Sequence, residues 1–457
     1  MSHGAGSFSA TSLLMSSTFE THDFRPLETV PPKGPREDIA DAFRKMLNAA
    51  PDRASFLIEN SIPVHEKRHF FDAVSTPFGI FCFLRGFFLT VQFHNLLNEL
   101  HGRRLRIPFK RWISHRDCPA AVKQFVRIYD NYESWLGSFS AGSKWVQPAS
   151  ASPYSGVNQS LVLEMDGRKF PCAAYKIGDK LRIFEVTPLS IFEGLAVAVQ
   201  LQSIMQFDAT AAKDWLLEVD LHPVYWYYTS ALNLAAACCD GDIDRTLKMM
   251  EFALMIPLGG EKSDCASDEE EPGWRFTAMA EYLLQHNSSE DINVVADIVC
   301  DQKGWKQSRE NLASAKFHLD TVHVFKEGWN YVQAVVDDFR RISHKTLDVW
   351  KQSPLLGMSY LTPMLDLKAP IHRKIRPDGT AEIFCDPEHG DAWAHFMILS
   401  AMIGNAVNGT SLVCAFSKSG LNQYPANRSC DCDARTQRES CLLSQIVETY
   451  AMEVTSI

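Results

Sequence analysis

His65-Glu66-Lys67-Arg68-His69 sets two imidazoles four residues apart, with a carboxylate beside the first. On a helix that spacing puts both rings on one face, near enough to share a divalent cation. The adjacent glutamate is placed to take a proton from a water that the cation activates. With 15 His in 457 residues, the pattern arises by chance in about one such chain in thirty. The chemistry it points to is zinc-dependent hydrolysis. A catalytic zinc takes three protein ligands and leaves its fourth position to water, so a third donor must come from elsewhere. Glu193, in Ile191-Phe192-Glu193-Gly194-Leu195-Ala196, is the expected one. It lies near the start of a strongly helical segment, and Gly194, Ala196 and Ala198 let that helix approach another closely. Asp72 follows His69 by three residues and shares its face. It can act as an alternative third ligand or as an acceptor behind a histidine N–H. The second role fits better, because three ligands from one continuous helix close a tetrahedron poorly.

HExxH followed far downstream by a helical Glu-Gly-x-Ala resembles the gluzincin branch of zinc metallopeptidases. The resemblance covers these two short segments. It implies His65, His69 and Glu193 as Zn2+ ligands, Glu66 as general base and a peptide or protein as substrate. In that family the two middle positions of the motif are uncharged, because the helix is buried. Here they are Lys67 and Arg68, which must emerge at a solvated edge or pair with acids. An oxyanion would need a further donor. His222, Tyr225, Tyr227 and Tyr228, in Leu221-His222-Pro223-Val224-Tyr225-Trp226-Tyr227-Tyr228, are the candidates, His222 and Tyr225 first. The same two histidines and carboxylate also suit mononuclear non-haem Fe2+. A di-iron centre needs a second Glu-x-x-His, and the chain has none. The alternative of another class is a helical interaction protein in which both histidines are structural.

Other signatures are missing. There is no P-loop, no glycine-rich dinucleotide fingerprint and no Gly-x-Ser-x-Gly elbow. The net charge of −10 argues against dedicated nucleic-acid binding. A local basic stretch, from Arg103, Arg104 and Arg106 through Lys110 and Arg111 to His115 and Arg116, reads as a solvated face pairing with nearby acids. Twelve cysteines, with Cys238 and Cys239 adjacent and no signal-peptide pattern at the start, suit buried free thiols in a reducing cytoplasm. Cys430, Cys432 and Cys441, with Cys385 and His389 upstream, offer a weaker structural-metal alternative, but their spacing is not that of a zinc motif. Pro77–Phe93 holds six phenylalanines, yet Arg85 at its middle makes it a helix buried in protein rather than a membrane span.

These residues need elements to hold them. Residues 1–36, with four prolines, read as a flexible arm. Asp38–Ala49 reads as a helix and Ala54–Glu59 as a short strand. Ser61 then caps a helix that carries Pro63 in its first turn and runs to about Val74. Ser75-Thr76-Pro77 separates it from a helix to about Glu99, and Ala120–Leu136 is another. Leu161–Met165, Asp166-Gly167 and Lys169–Tyr175 predict a hairpin, with a third strand over Leu181–Val186. Helices follow over 188–206, 210–218, 223–237, 241–255, 273–286, 289–302 and 305–350. The expected architecture is a mainly helical α+β protein whose small antiparallel sheet, 160–186, packs against the HExxH helix. The expected hydrolase unit is 37–257, followed by an acidic loop at 258–272, a helical region at 273–356 and an irregular cysteine-containing region at 357–457.

Overall fold

The structure is a computed structural model. It describes residues 5–9, 13–20, 36–140, 159–165, 168–177, 180–221, 226–258, 271–286, 290–322, 330–350, 353–360, 364, 367–378, 381–385, 388–409, 412, 419–421, 428–430, 446, 449–451 and 453–456. The chain is mainly helical with small sheets, as the periodicity predicts. In order the elements are β1 (Ala5–Phe8), β2 (Leu14–Thr18), α1 (Arg36–Ala49), α2 (Arg53–Ser75), α3 (Pro77–Glu99), β3 (Arg104–Ile107), α4 (Phe109–Trp112) and α5 (Ala120–Ser140). Then come β4 (Gln159–Met165), β5 (Arg168–Ile177), β6 (Lys180–Glu185), α6 (Pro188–Met205), α7 (Ala209–Leu221), α8 (Trp226–Cys238), α9 (Ile243–Leu254) and α10 (Pro272–His286). The last are α11 (Ile292–Lys303), α12 (Ser308–Thr321), α13 (Asn330–Trp350), a 3-10 turn (Gly357–Tyr360), β7 (Ile371–Ile375), β8 (Ala381–Cys385), α14 (Gly390–Asn408), β9 (Ser419–Leu421), β10 (Arg428–Cys430) and β11 (Glu453–Ser456).

The motif helix differs from its expected form. Residues 54–59 are not a strand: α2 starts at Arg53, where the Asp52 side chain accepts from the Ser55 backbone N–H at 3.1 Å. Ser61 is therefore no cap, and Pro63 stands inside a continuous helix. A mid-helix proline removes one backbone bond and costs about 3 kcal/mol. Burial on both sides of it offsets that cost. Phe56 and Leu57 pack with Phe43 and Leu47 of α1 before it, and Phe70, Phe71 and Val74 enter the main core after it.

The turn between α2 and α3 matches its signals. Thr76 closes α2 through its backbone N–H to the Asp72 carbonyl and opens α3 by accepting from the Gly79 N–H at 3.0 Å. Pro77 takes the first-turn position, where no N–H is needed. A Cβ on Gly79 would stand 2.3 Å from the Asp72 carbonyl oxygen, so only glycine lets α3 leave α2 this tightly.

The sequence-predicted hairpin and third strand form, antiparallel throughout and in the order β4-β5-β6. Their position is different from the expected one. This sheet packs on α10, where the Gly273 backbone lies against the Val186 carbonyl and Pro171. The sheet that meets α2 has the order β1-β2-β7-β8, with β2 and β7 parallel. It joins the two ends of the chain. Residues 1–36 thus contain two strands where a flexible arm is expected, and Leu13 and Met15 are buried. The region after 357 is also more regular than expected, with β7, β8 and the 19-residue α14. The 305–350 helix is two, α12 and α13. The acidic run Asp268–Glu271 is described only at Glu271, and the Cys430, Cys432 and Cys441 cluster lies outside the residues whose side chains are described.

One apolar cluster runs from Leu13 to Tyr450 and does not divide at 258–272. Its centre is the phenylalanine-rich α3: Phe83 stacks on Phe339 of α13 at 3.7 Å between ring centroids and lies against Phe396 of α14. Two helices, Pro77–Glu99 and Pro188–Met205, are long and apolar enough to cross a membrane by length and composition. Both are core helices here, with 61% and 67% of their apolar windows buried. Arg85 reaches the edge of that core and lies over the rings of Phe81 and Trp135. The basic stretch pairs with acids on the surface: Arg106 with Asp117, and Lys110 with Asp130 and Glu133.

Candidate metal centre

Two helices bring the donors together. α2 presents His65 and His69 from successive turns. α6 crosses it and presents Glu193. The start of α6 is fixed by a reciprocal cap: the Thr187 hydroxyl accepts from the Ser190 N–H, and the Ser190 hydroxyl accepts from the Thr187 N–H. With that start set, Glu193 falls in the second turn. Gly194 makes the packing possible, since a Cβ there would stand 2.4 Å from Met250 Cε and 3.2 Å from the Leu232 backbone nitrogen. α6 therefore lies close on α8 and α9, and its glutamate faces α2.

The three donor atoms form a compact triangle. His65 Nε2 lies 3.1 Å from Glu193 Oε2 and 3.1 Å from His69 Nε2. His69 Nε2 lies 3.3 Å from the same Glu193 oxygen. These edges can be compared with a coordination sphere. Ligands about 2.0–2.1 Å from zinc span tetrahedral edges of about 3.3–3.4 Å. An octahedral face at about 2.1 Å has edges of about 3.0 Å. The observed triangle lies between the two, so its size fits a small divalent cation. The side chains of His65, His69 and Glu193 are 10%, 8% and 13% exposed, which leaves a narrow approach from solvent.

The electrostatics agree with that donor set. Burial works to raise the Glu193 carboxyl, but the charges and hydrogen bonds of His69 and His65 outweigh it and hold the group at about 2. Glu66 behaves in the opposite way. Burial pushes it up to about 8, against the pull of His65, with the nearby Glu193 charge adding to the rise. Its Oε2 is buried without a hydrogen-bond partner. An added positive charge at the triangle would favour the Glu66 carboxylate.

Asp72 is neither a ligand nor the main support of a histidine. Its carboxylate accepts from Arg68 Nε at 3.0 Å. Arg68, fully buried, also donates to Glu251 of α9 at 3.0 Å, and its guanidinium lies 4.4 Å over the Tyr360 ring. Glu251 in turn accepts from the backbone N–H groups of Leu356 and Gly357. The charged middle of the motif thus resolves by pairing with acids at Arg68, while Lys67 stays partly exposed.

The support behind His65 comes from a residue that sequence reasoning passed over. Gln200 Oε1 lies 3.0 Å from His65 Nδ1, and Gln200 Nε2 donates to the Ser61 hydroxyl at 2.9 Å. A signal was available, since Gln200 follows Glu193 by two turns and shares its face of α6. His222 and Tyr225 lie outside the described residues. From the same aromatic segment, Tyr228 places its ring 6.2 Å from that of His65. Phe192 lies 6.4 Å from the His69 ring. No family model, no curated protein and no solved structure matches this chain.

Proposed function

We propose that the chain is a zinc-dependent hydrolase, a metallopeptidase-like enzyme acting on amide bonds of a peptide or protein in the cytoplasm. The observation that carries the reading is the triangle of His65, His69 and Glu193 donors with the buried Glu66 carboxyl beside it, whose Oε2 has no hydrogen-bond partner. Zinc, when bound, supplies a Lewis acid that polarises a carbonyl and acidifies a water. His65 and His69 contribute neutral imidazole donors, and Glu193 contributes one negative charge. Glu66 takes the proton from the attacking water and delivers it to the leaving amine. Tyr228, whose ring lies 6.2 Å from that of His65, is the candidate donor to a developing oxyanion.

The same donors suit Fe2+, as they would in an oxygenase. Glu66 favours hydrolysis, because a buried spare carboxyl beside the triangle is a proton carrier that iron–oxygen chemistry does not require. Metal analysis of the purified protein is the test. Close to one equivalent of zinc in the wild type, lost in His65→Ala and retained in Glu66→Gln, is the expected result. Amide hydrolysis should fall by about 10²–10⁴ in Glu66→Gln. Wild-type protein without metal, or iron in place of zinc, would overturn the proposal.

A further inference from the structure

We infer that Gln200 and Ser61 are positioning residues that hold His65 with its proton on Nδ1, so that Nε2 meets the cation as a lone pair. The inference rests on the metal reading above and adds what orients one of its ligands. Donor accounting carries it. The Ser61 hydroxyl has one hydrogen and lies 2.6 Å from the Ile58 carbonyl oxygen, which only accepts. That hydrogen is therefore committed, and Ser61 Oγ faces Gln200 as an acceptor. The Gln200 group 2.9 Å from it must be the amide nitrogen, since a carbonyl there would set two acceptors against each other. This fixes the amide and turns Oε1 to His65, 3.0 Å from Nδ1. An acceptor at that distance takes a proton from Nδ1, and a cation that replaces the contact between Nε2 and Glu193 Oε2, 3.1 Å apart, leaves Nδ1–H as the neutral form of the ring.

The chain of hydrogen bonds runs Ile58 carbonyl, Ser61, Gln200, His65, and all of it is buried. Ser61 is 1% exposed, Gln200 5% and His65 8%. Burial keeps the amide from bulk solvent, so its protein partners set its orientation. The design is economical in elements: α2 supplies Ser61 and both histidines, and α6 supplies Glu193 and Gln200. The one crossing of two helices thus provides the ligands and the group behind one of them.

The experiment compares zinc affinity, by competition with a chromophoric chelator, for the full-length wild type, His65→Ala, Gln200→Leu, Gln200→Glu and Ser61→Ala. Melting temperature and long-range proton–nitrogen NMR of ¹⁵N-histidine protein are recorded for each. Gln200→Leu is expected to lower affinity by about 10–100-fold and to convert His65 from the Nδ1–H form to a mixture. Gln200→Glu, which keeps the acceptor, should restore affinity to within a few-fold of wild type. Ser61→Ala should give a smaller loss, because the amide is then free to flip. Unchanged affinity and tautomer in a folded Gln200→Leu variant would overturn the inference while leaving the metal reading intact. A zinc-loaded wild type whose His65 carries no proton on Nδ1 would overturn it as well. A wild type that binds no zinc sinks the metal reading itself, a result separable from both.

Discussion

Two polar clusters sit on α2 one turn apart, and they solve the same problem differently. His65, His69, Glu193 and Glu66 gather two imidazoles and two carboxyls. Arg68, Asp72, Glu251 and Tyr360 gather two carboxyls around a guanidinium. Both are buried where unpaired charge is costly. The second cluster carries its own cation: Arg68 lies 3.0 Å from an oxygen of each acid, and the backbone of Leu356 and Gly357 caps Glu251 from the far side. The first has no lysine or arginine paired with Glu66 or Glu193 among the described residues. Its three donor atoms point at one another at 3.1–3.3 Å. A cluster with an internal cation sets its charges against one another within the fold, although Arg68 Nη1 is buried without a hydrogen-bond partner. The histidine cluster instead brings together three donor atoms that could hold a cation. The arginine cluster is architecture, and the histidine cluster is the candidate metal site.

Breaking the closed cluster should have the largest effect. Arg68→Met strands two buried acids, and urea unfolding should show a loss of about 3–5 kcal/mol. Arg68→Met combined with Asp72→Asn and Glu251→Gln should recover much of that loss, because the uncompensated charges leave with the guanidinium. A single variant as stable as wild type would mean that the guanidinium is not holding the acids. The open cluster should respond to metal. Zinc at 100 times its dissociation constant should stabilise the wild type by about 2.7 kcal/mol, read as a rise in melting temperature. His69→Ala should abolish the rise, whereas Arg68→Met, if folded, should keep it.

Smaller changes sharpen the contrast. Gly194→Ala pushes a methyl at Met250 and at the Leu232 backbone, which should cost about 1–3 kcal/mol. It should also weaken zinc binding, because the strain falls on the helix that carries Glu193. Asp52→Ala removes the cap of α2 and should cost about 1 kcal/mol while leaving zinc affinity within a few-fold of wild type. A cap that changed zinc affinity as much as Gly194→Ala would show that the two clusters are not separable parts of the helix.

Local patterns carried much of this. The boundary at Thr76-Pro77, the hairpin of β4 and β5, and most helices between 188 and 303 follow caps, turns and periodicity that act over a few residues. Phe56-Leu57-Ile58 misled, because a short apolar run suits strand and helix equally. Contact with α1 is what makes it helical. The flexible arm misled for a different reason. β2 pairs with β7, more than 350 residues away, and no local composition announces such a partner. Asp72 reads as support for a histidine because it shares a helical face with His69. Arg68, four residues before it, is visible too, but Glu251 of α9 is not.

Amino-acid order alone set His65 and His69 on one side of a helix, put Glu66 between them and offered Glu193 as a distant carboxylate. Those are consequences of a repeat of 3.6 residues per turn and of side-chain chemistry. Packing settled which acid meets which base: Glu193 goes to the imidazoles because Gly194 lets α6 lie close on its neighbours, and Asp72 is taken by Arg68. The reason is energetic. Every buried charge must find a partner, and only the assembled core decides which partners are within 3 Å.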